Sequence, residues 1–236
     1  MKNIPKVFLF FILFTGCGPL FAQDAGRERQ IDSLAVSYLQ TVRGNSTLYY
    51  GDQQLSPPRS SNHPYLNDVQ FSKARLSYHG VIYPEALLRF DIWRNELVIL
   101  SPNSRAIVLY PEYVDFAELH GKHILYFRND SLPGSPSTGY YILLYSGKCK
   151  ILERNTAVRE SRSTYEQYYL FKKEFYLYKD GVYHTIRNKR MLLAVLQPYK
   201  KELKQYISSR KLRFREQSDL FLVRTISEYE KLTKSL

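Results

Sequence analysis

Cysteine is almost missing from this chain: Cys17 and Cys149 are the two present in 236 residues. Cys17 falls in an N-terminal segment that reads as removable, which leaves Cys149 alone and excludes an intramolecular disulfide. The fold must therefore rest on a buried core. With 44% hydrophobic residues, a mature chain of about 210 residues is long enough for one good core or two small ones. Long apolar runs are scarce as well. Beyond residue 22 none approaches the roughly 20 residues of a spanning helix, so no transmembrane span is expected in the mature chain. Catalytic signatures are missing too: there is no G-x-S-x-G, no H-E-x-x-H and no phosphate-cradling glycine loop. Internal repeats are absent. A site assembled from distant residues stays open, because triads need not be local in sequence.

What is present begins with an export signal. Lys2 and Lys6 precede the apolar run Val7 to Phe14, and Gly16, Cys17, Gly18, Pro19 and Phe21-Ala22-Gln23 follow. This is the charged, apolar and cleavable order of a secretory leader. Residues 1–22 are expected to be removed by cleavage after Ala22, although Leu20 is bulkier than an A-x-A-like site prefers. A second reading takes Phe14-Thr15-Gly16-Cys17 as a lipoprotein box with Cys17 as the anchored residue. Either places the protein outside the cytoplasm, with the periplasm as the expected compartment.

The remainder, 23–236, is expected to be α+β. Ile31, Leu34, Ala35, Tyr38 and Leu39 follow helical spacing, so 29–42 reads as a short amphipathic N-terminal helix. Thr47-Leu48-Tyr49-Tyr50 reads as a short strand, and the prolines and serines of 51–68 as a loop. From Val69 to Ile186 short alternating runs recur every eight to twelve positions between turn residues. That is the rhythm of an antiparallel and curved β-meander. Lys179-Asp180-Gly181 reads as a tight hairpin turn, because Asp-Gly accepts positive φ angles. Residues 188–235 form a helical tail: Asn188 caps a helix with Met191 and Leu192, Pro198 suits the first turn of another, and Gln217 or Ser218 opens the last.

Charge is distributed unevenly. The net formal charge is +12, and ten basic residues fall between 187 and 215 with Glu202 as the one acid. Lys189, Arg190, Lys200, Lys201, Lys204, Arg210, Lys211, Arg213 and Arg215 are therefore the candidate anion contacts. A single-sign cluster raises the local potential by several kT and concentrates anions. Beyond the inner membrane the expected partners are anionic lipid, phosphorylated glycolipid, acidic polysaccharide or an envelope protein, with nucleic acid disfavoured by compartment. The plainer alternative is the solvated faces of two helices, but such faces usually mix signs.

Other chemistry-bearing residues have plainer readings. His120-Gly121-Lys122-His123 follows Asp115 and Glu118, yet it falls in a hairpin turn with a lysine between the imidazoles, so exposed turn histidines are expected. His184 shares a strand face with Val182 and Ile186 and reads as a hydrogen-bonded core histidine. Cys149 lies between Lys148 and Lys150, which lower a thiol pKa, but without a partner histidine a buried thiol is the better reading. Tyr165, Tyr168, Tyr169, Phe171, Phe175, Tyr176, Tyr178 and Tyr183 are dense enough for a sugar platform, although strands favour aromatic residues anyway. No metal or cofactor is expected.

Tyr178-Lys179-Asp180-Gly181-Val182-Tyr183, Lys200-Lys201-Glu202-Leu203-Lys204 and Lys211-Leu212-Arg213-Phe214-Arg215 carry a resemblance. A tail of the form K-D-G-x-Y, K-K-E-L-K and K-L-x-F-R resembles that of a family of uncharacterised exported proteins from Bacteroidota-type bacteria. The resemblance covers residues 165–232 closely and 46–155 loosely. It implies export and a shared fold, and brings no activity or site residues with it. The sequence thus points to a non-enzymatic envelope protein. A periplasmic lipid or lipoprotein carrier is one alternative, and would need an open apolar concavity. A secreted hydrolase is another, and would need His63, His79, His120, His123 or His184 clustered with carboxylates in one cleft.

Overall fold

The computed structural model describes residues 47–163 and 166–234. The export segment 1–22, Cys17 and the expected helix 29–42 lie outside the described residues. One antiparallel sheet runs through the described chain. Its first four strands are β1 (Ser72–Tyr78), β2 (Val81–Asp91), β3 (Glu96–Leu100) and β4 (Ala106–Val108). The next three are β5 (Val114–Leu119), β6 (Lys122–Phe127) and β7 (Gly139–Ser146). The last three are β8 (Lys150–Ser161), β9 (Gln167–Lys179) and β10 (Val182–Thr185). The spatial order is β10-β9-β8-β7-β6-β5-β1-β2-β3-β4. Two meanders are thus joined where β5 returns to lie beside β1, and the sheet stays open, with β10 and β4 as its edges.

Three helices follow: α1 (Lys189–Val195), α2 (Lys200–Ser209) and α3 (Ser218–Lys234). Together with the antiparallel sheet they make the fold α+β, with the helical tail where the sequence places it. Asn188 caps α1 by accepting a hydrogen bond from Met191 N at 2.9 Å, the partner an orphan first-turn N–H needs. Asp180 and Gly181 take φ values of 50° and 81° in the β9–β10 turn. Pro198 is displaced from its expected place: it precedes the N-cap, Tyr199, rather than entering the first turn of α2.

Thr47–Tyr49 is a 3-10 turn and not a strand. Tyr50 N donates to Thr47 O at 3.2 Å, closing the turn, and Leu48 drops into the core at 2% exposure. The chain must also bend at Gly51, where a Cβ would lie 2.3 Å from the Val108 carbonyl. From there residues 52–54 cover the β4 edge, with Val108 N donating to Asp52 O at 2.8 Å and Gln54 N to Ala106 O at 2.9 Å. At the other edge Tyr183 N of β10 donates to Pro133 O at 2.9 Å. Covered edges of this kind prevent pairing with other chains.

Two apolar clusters hold the sheet. One gathers Leu76, Tyr78, Leu88, Phe90, Leu97 and Ile142, among others, from β1 to β7. The other joins Ile151, Phe175 and Leu177 of β8 and β9 to Leu192, Leu203, Ile207, Leu222 and Ile226 of the helices. A buried carboxylate fastens the last helix: Glu230 Oε1 accepts from Cys149 N at 2.7 Å. Gly147 gives the carboxylate room, since a Cβ there would lie 2.5 Å from Glu230 Oε2. A chain of charges, Glu153–Lys173 at 3.1 Å and Lys173–Asp219 at 3.1 Å, ties the start of α3 to β8 and β9. Among the described residues no helix is long and apolar enough to cross a membrane.

Candidate anion-binding surface

The basic tail is built on amphipathic helices. On α2, Leu203 and Ile207 lie one turn apart and are buried at 0% and 2% exposure, which turns Lys201 and Lys204 outward and leaves Lys200 half-buried. The helix ends in a Schellman-type cap, with Lys211 N donating to Ser208 O at 3.1 Å and Leu212 N to Ile207 O at 3.0 Å. This places Lys211 at φ 51°, the left-handed position that glycine usually takes. Beyond it, side chains alternate. Phe214 packs on Phe175 and Phe221 at ring distances of 6.1 and 5.5 Å, whereas Lys211, Arg213 and Arg215 are exposed.

Two grooves flank this segment, and Leu212 borders both. The first, about 560 Å³, is lined by Lys189, Arg190, Arg213, Phe214 and Arg215. The second, about 510 Å³, lies between the end of α2 and α3 and is lined by Tyr206, Arg210, Arg224, Glu228 and Lys231. Lys200, Lys201 and Lys204 line neither and extend the positive surface along α2. Arg224 and Lys231 were not among the sequence candidates. Their seven-residue spacing puts them two turns apart on one face of α3, but the acids between them in sequence hid that face.

Few of these cations are neutralised. Arg213 pairs with Glu216 at 2.8 Å, and that hydrogen bond raises its pKa further. Among the described residues, no carboxylate forms an ion pair with Lys189, Arg190, Lys200, Lys201, Lys204, Arg210, Lys211 or Arg215. Arg210 instead lies over the Tyr206 ring, 5.9 Å from its centroid. In the second groove Lys231 meets Glu228 at 3.3 Å. Cations without counter-ions on one surface focus the field outward and attract anions or anionic surfaces.

The other candidates are spread out. His79 and His120 occupy turns at φ 53° each. His123 lies on β6 instead of in the turn, because β6 begins at Lys122; it stacks on Phe116 and stands 3.8 Å from Glu118. His184 is half-buried opposite Leu177, and burial, then Lys179, lowers its pKa. No hydrogen bond to its ring is present among the described residues, because the strand register points it at an apolar neighbour. No group of three His, Cys, Asp or Glu that could hold a metal occurs among the described residues. Cys149 is buried, and burial followed by the Glu230 charge pushes its thiol up to about 11, so the flanking lysines do not activate it. Tyr141, Tyr176, Tyr178 and Tyr183 pack with Phe127 in a ring cluster. Comparison of the chain with protein-family models, with curated proteins and with solved structures gave no match.

Proposed function

We propose that this chain is an exported, non-enzymatic envelope protein that engages an anionic partner through the basic surface of its C-terminal helices. One observation carries the reading: of nine cations singled out in sequence, Arg213 is the one with a carboxylate partner among the described residues. Each basic residue near an anionic membrane contributes roughly 1 kcal/mol, so half of this set is enough for measurable association. A phosphorylated glycolipid, an acidic polysaccharide or an acidic envelope protein presents the same chemistry.

The sheet serves as the rigid support, and its internal contacts favour a curved shape. Phe90 of β2 and Tyr140 of β7 have ring centroids 5.8 Å apart although β1, β5 and β6 lie between them. In a flat sheet that separation is about 19 Å, four strand spacings. The apolar side chains of that face are buried among the described residues, whereas a lipid carrier needs such a face open.

Vesicles containing phosphatidylglycerol test the reading. The mature protein should bind them at low ionic strength and release them as salt shortens the Debye length from ~10 Å toward ~3 Å. Reversing Lys200, Lys201, Lys204, Lys211 and Arg215 to Glu should abolish binding. Association that ignores both salt and charge reversal would overturn it.

A further inference from the structure

The far end of the sheet holds a second kind of cationic site. Alternation along β2 buries Leu88 and Phe90 on the core face and turns Arg89 to the opposite side. There the guanidinium lies between two rings, 3.9 Å from the centroid of Tyr65 and 4.2 Å from that of Phe71. Its Nη1 donates to Val69 O at 2.7 Å and its Nη2 to Gln54 Oε1 at 2.8 Å. Among the described residues no carboxylate forms an ion pair or hydrogen bond with Arg89. Gln54 stands in between, donating to Asp91 Oδ2 at 3.3 Å. Asp91 is fully buried and spends its other oxygen on Arg94 N at 3.0 Å.

Arg89 lines a groove of about 350 Å³ beneath the proline-rich segment 54–65. Donors in its walls are left over. An arginine has five N–H groups, and Arg89 Nε is buried without a hydrogen-bond partner among the described residues. Tyr169, 2% exposed, lines the same groove, and among the described residues its buried hydroxyl also has no hydrogen-bond partner. His63 Nδ1 accepts from Tyr65 N at 3.3 Å, so the neutral ring carries its proton on Nε2. Pro57, Pro58, Val69 and Ala106 supply apolar wall.

We propose that this groove binds a small molecule by its carboxylate, held by Arg89 and Tyr169, with the body of the ligand against the prolines. The guanidinium is fixed before binding, which removes the ordering cost a free arginine would incur. Its planar fork matches the two oxygens of a carboxylate. One cation balances one negative charge; a phosphate dianion would leave an excess charge in a half-buried site. Packing alone does not account for the Tyr169 hydroxyl, since phenylalanine would place the same ring against Trp93, 5.5 Å away, without leaving a buried oxygen unpaired.

The test is titration of the whole mature protein with benzoate, glucuronate and inorganic phosphate, read by NMR at Arg89, Tyr65 and Tyr169. At least one carboxylate should bind saturably and more tightly than phosphate, and should stay bound at salt that releases vesicles. Arg89→Lys should abolish binding. Tyr169→Phe is the sharper variant: affinity should fall about tenfold, the worth of one hydrogen bond to a charged group, while the urea midpoint holds or rises. A structural role for Tyr169 predicts no change in affinity. Unchanged affinity in Tyr169→Phe, tighter binding of phosphate, or no response at these residues to either carboxylate would each overturn the proposal. None of these outcomes bears on the basic helices.

Discussion

The two ends of the sheet treat a positive charge in opposite ways. At the helical end, cations stand exposed and mostly without carboxylates. At the β2–β4 end, Arg89 is clamped between two rings with two neutral acceptors, and burial lowers its pKa before Tyr65 and Asp91 act to raise it. Exposed charges contribute little to stability and much to long-range attraction. A desolvated one contributes through geometry and becomes costly when its acceptors change. The first arrangement suits an extended anionic surface, the second a single small ligand.

The largest expected effect separates these two roles through stability. Arg89→Ala removes two hydrogen bonds and two ring contacts and leaves Gln54 Oε1 without its donor, while Asp91 keeps Arg94 at 3.6 Å. A loss of about 3 kcal/mol in urea denaturation is expected. Lys201→Ala deletes the same charge from a fully outward position on α2 and should leave the midpoint in place. Equal losses at both positions would collapse the distinction.

The basic end depends on its anchor to the sheet, which gives a second and smaller effect. Glu230→Ala leaves the buried Cys149 N–H without an acceptor, at a cost of roughly 2 kcal/mol. Cys149 reports the loosening. Its thiol is raised from the ordinary 9.0 to about 11, burial being the main cause. The folded state therefore favours the protonated thiol, a contribution fully present below pH 9.0 and lost as pH climbs through about 11. Iodoacetamide at pH 8 should label the buried thiol only slowly, through transient opening of the site. Glu230→Ala should speed that labelling several-fold. Fast labelling of the unaltered protein would mean the last helix is not seated as described.

The contrast between the two ends also explains what could be read from the chain alone. Helices around Leu203, Ile207, Leu222 and Ile226 announced themselves because burial repeats at the helical period, and Leu97 to Leu100 because a short continuous apolar run is buried on both faces of the sheet. The basic cluster was legible because its residues lie close together in sequence. The distal half of the β8–β9 ribbon, Thr156 to Ser161 paired with Gln167 to Lys172, was not. Val158 and Leu170 face each other there but stay exposed, so apolar alternation gave no guide. The Arg89 groove was hidden for another reason: Gln54, Asn62, Arg89 and Tyr169 meet through tertiary contacts, with Asn62 bonded to Tyr169 across 107 residues. Arg89 and Asp91 alternate with Leu88 and Phe90 along β2, a pattern that predicts an exposed polar side, yet Asp91 is fully buried.

The smallest effect tests whether the helical end gives up stability for its charge. Lys211 holds the left-handed position that closes α2, at φ 51°, where a side chain costs about 1 kcal/mol relative to glycine. Glycine would also keep both capping bonds, which run from the backbone N–H groups of Lys211 and Leu212. Lys211→Gly should therefore raise stability by about 0.5 kcal/mol, the gain being offset in part by the freer unfolded chain. The same change should weaken vesicle binding about fivefold, the loss expected for one near-surface cation. Asn relieves the strain without a charge, whereas Arg keeps the charge without relieving the strain. Lys211→Asn should follow the glycine variant and Lys211→Arg the unaltered protein. If the glycine variant gains stability and binds as before, the lysine is an accident of the turn. If both quantities move in opposite directions, the strained backbone is retained for the charge it presents.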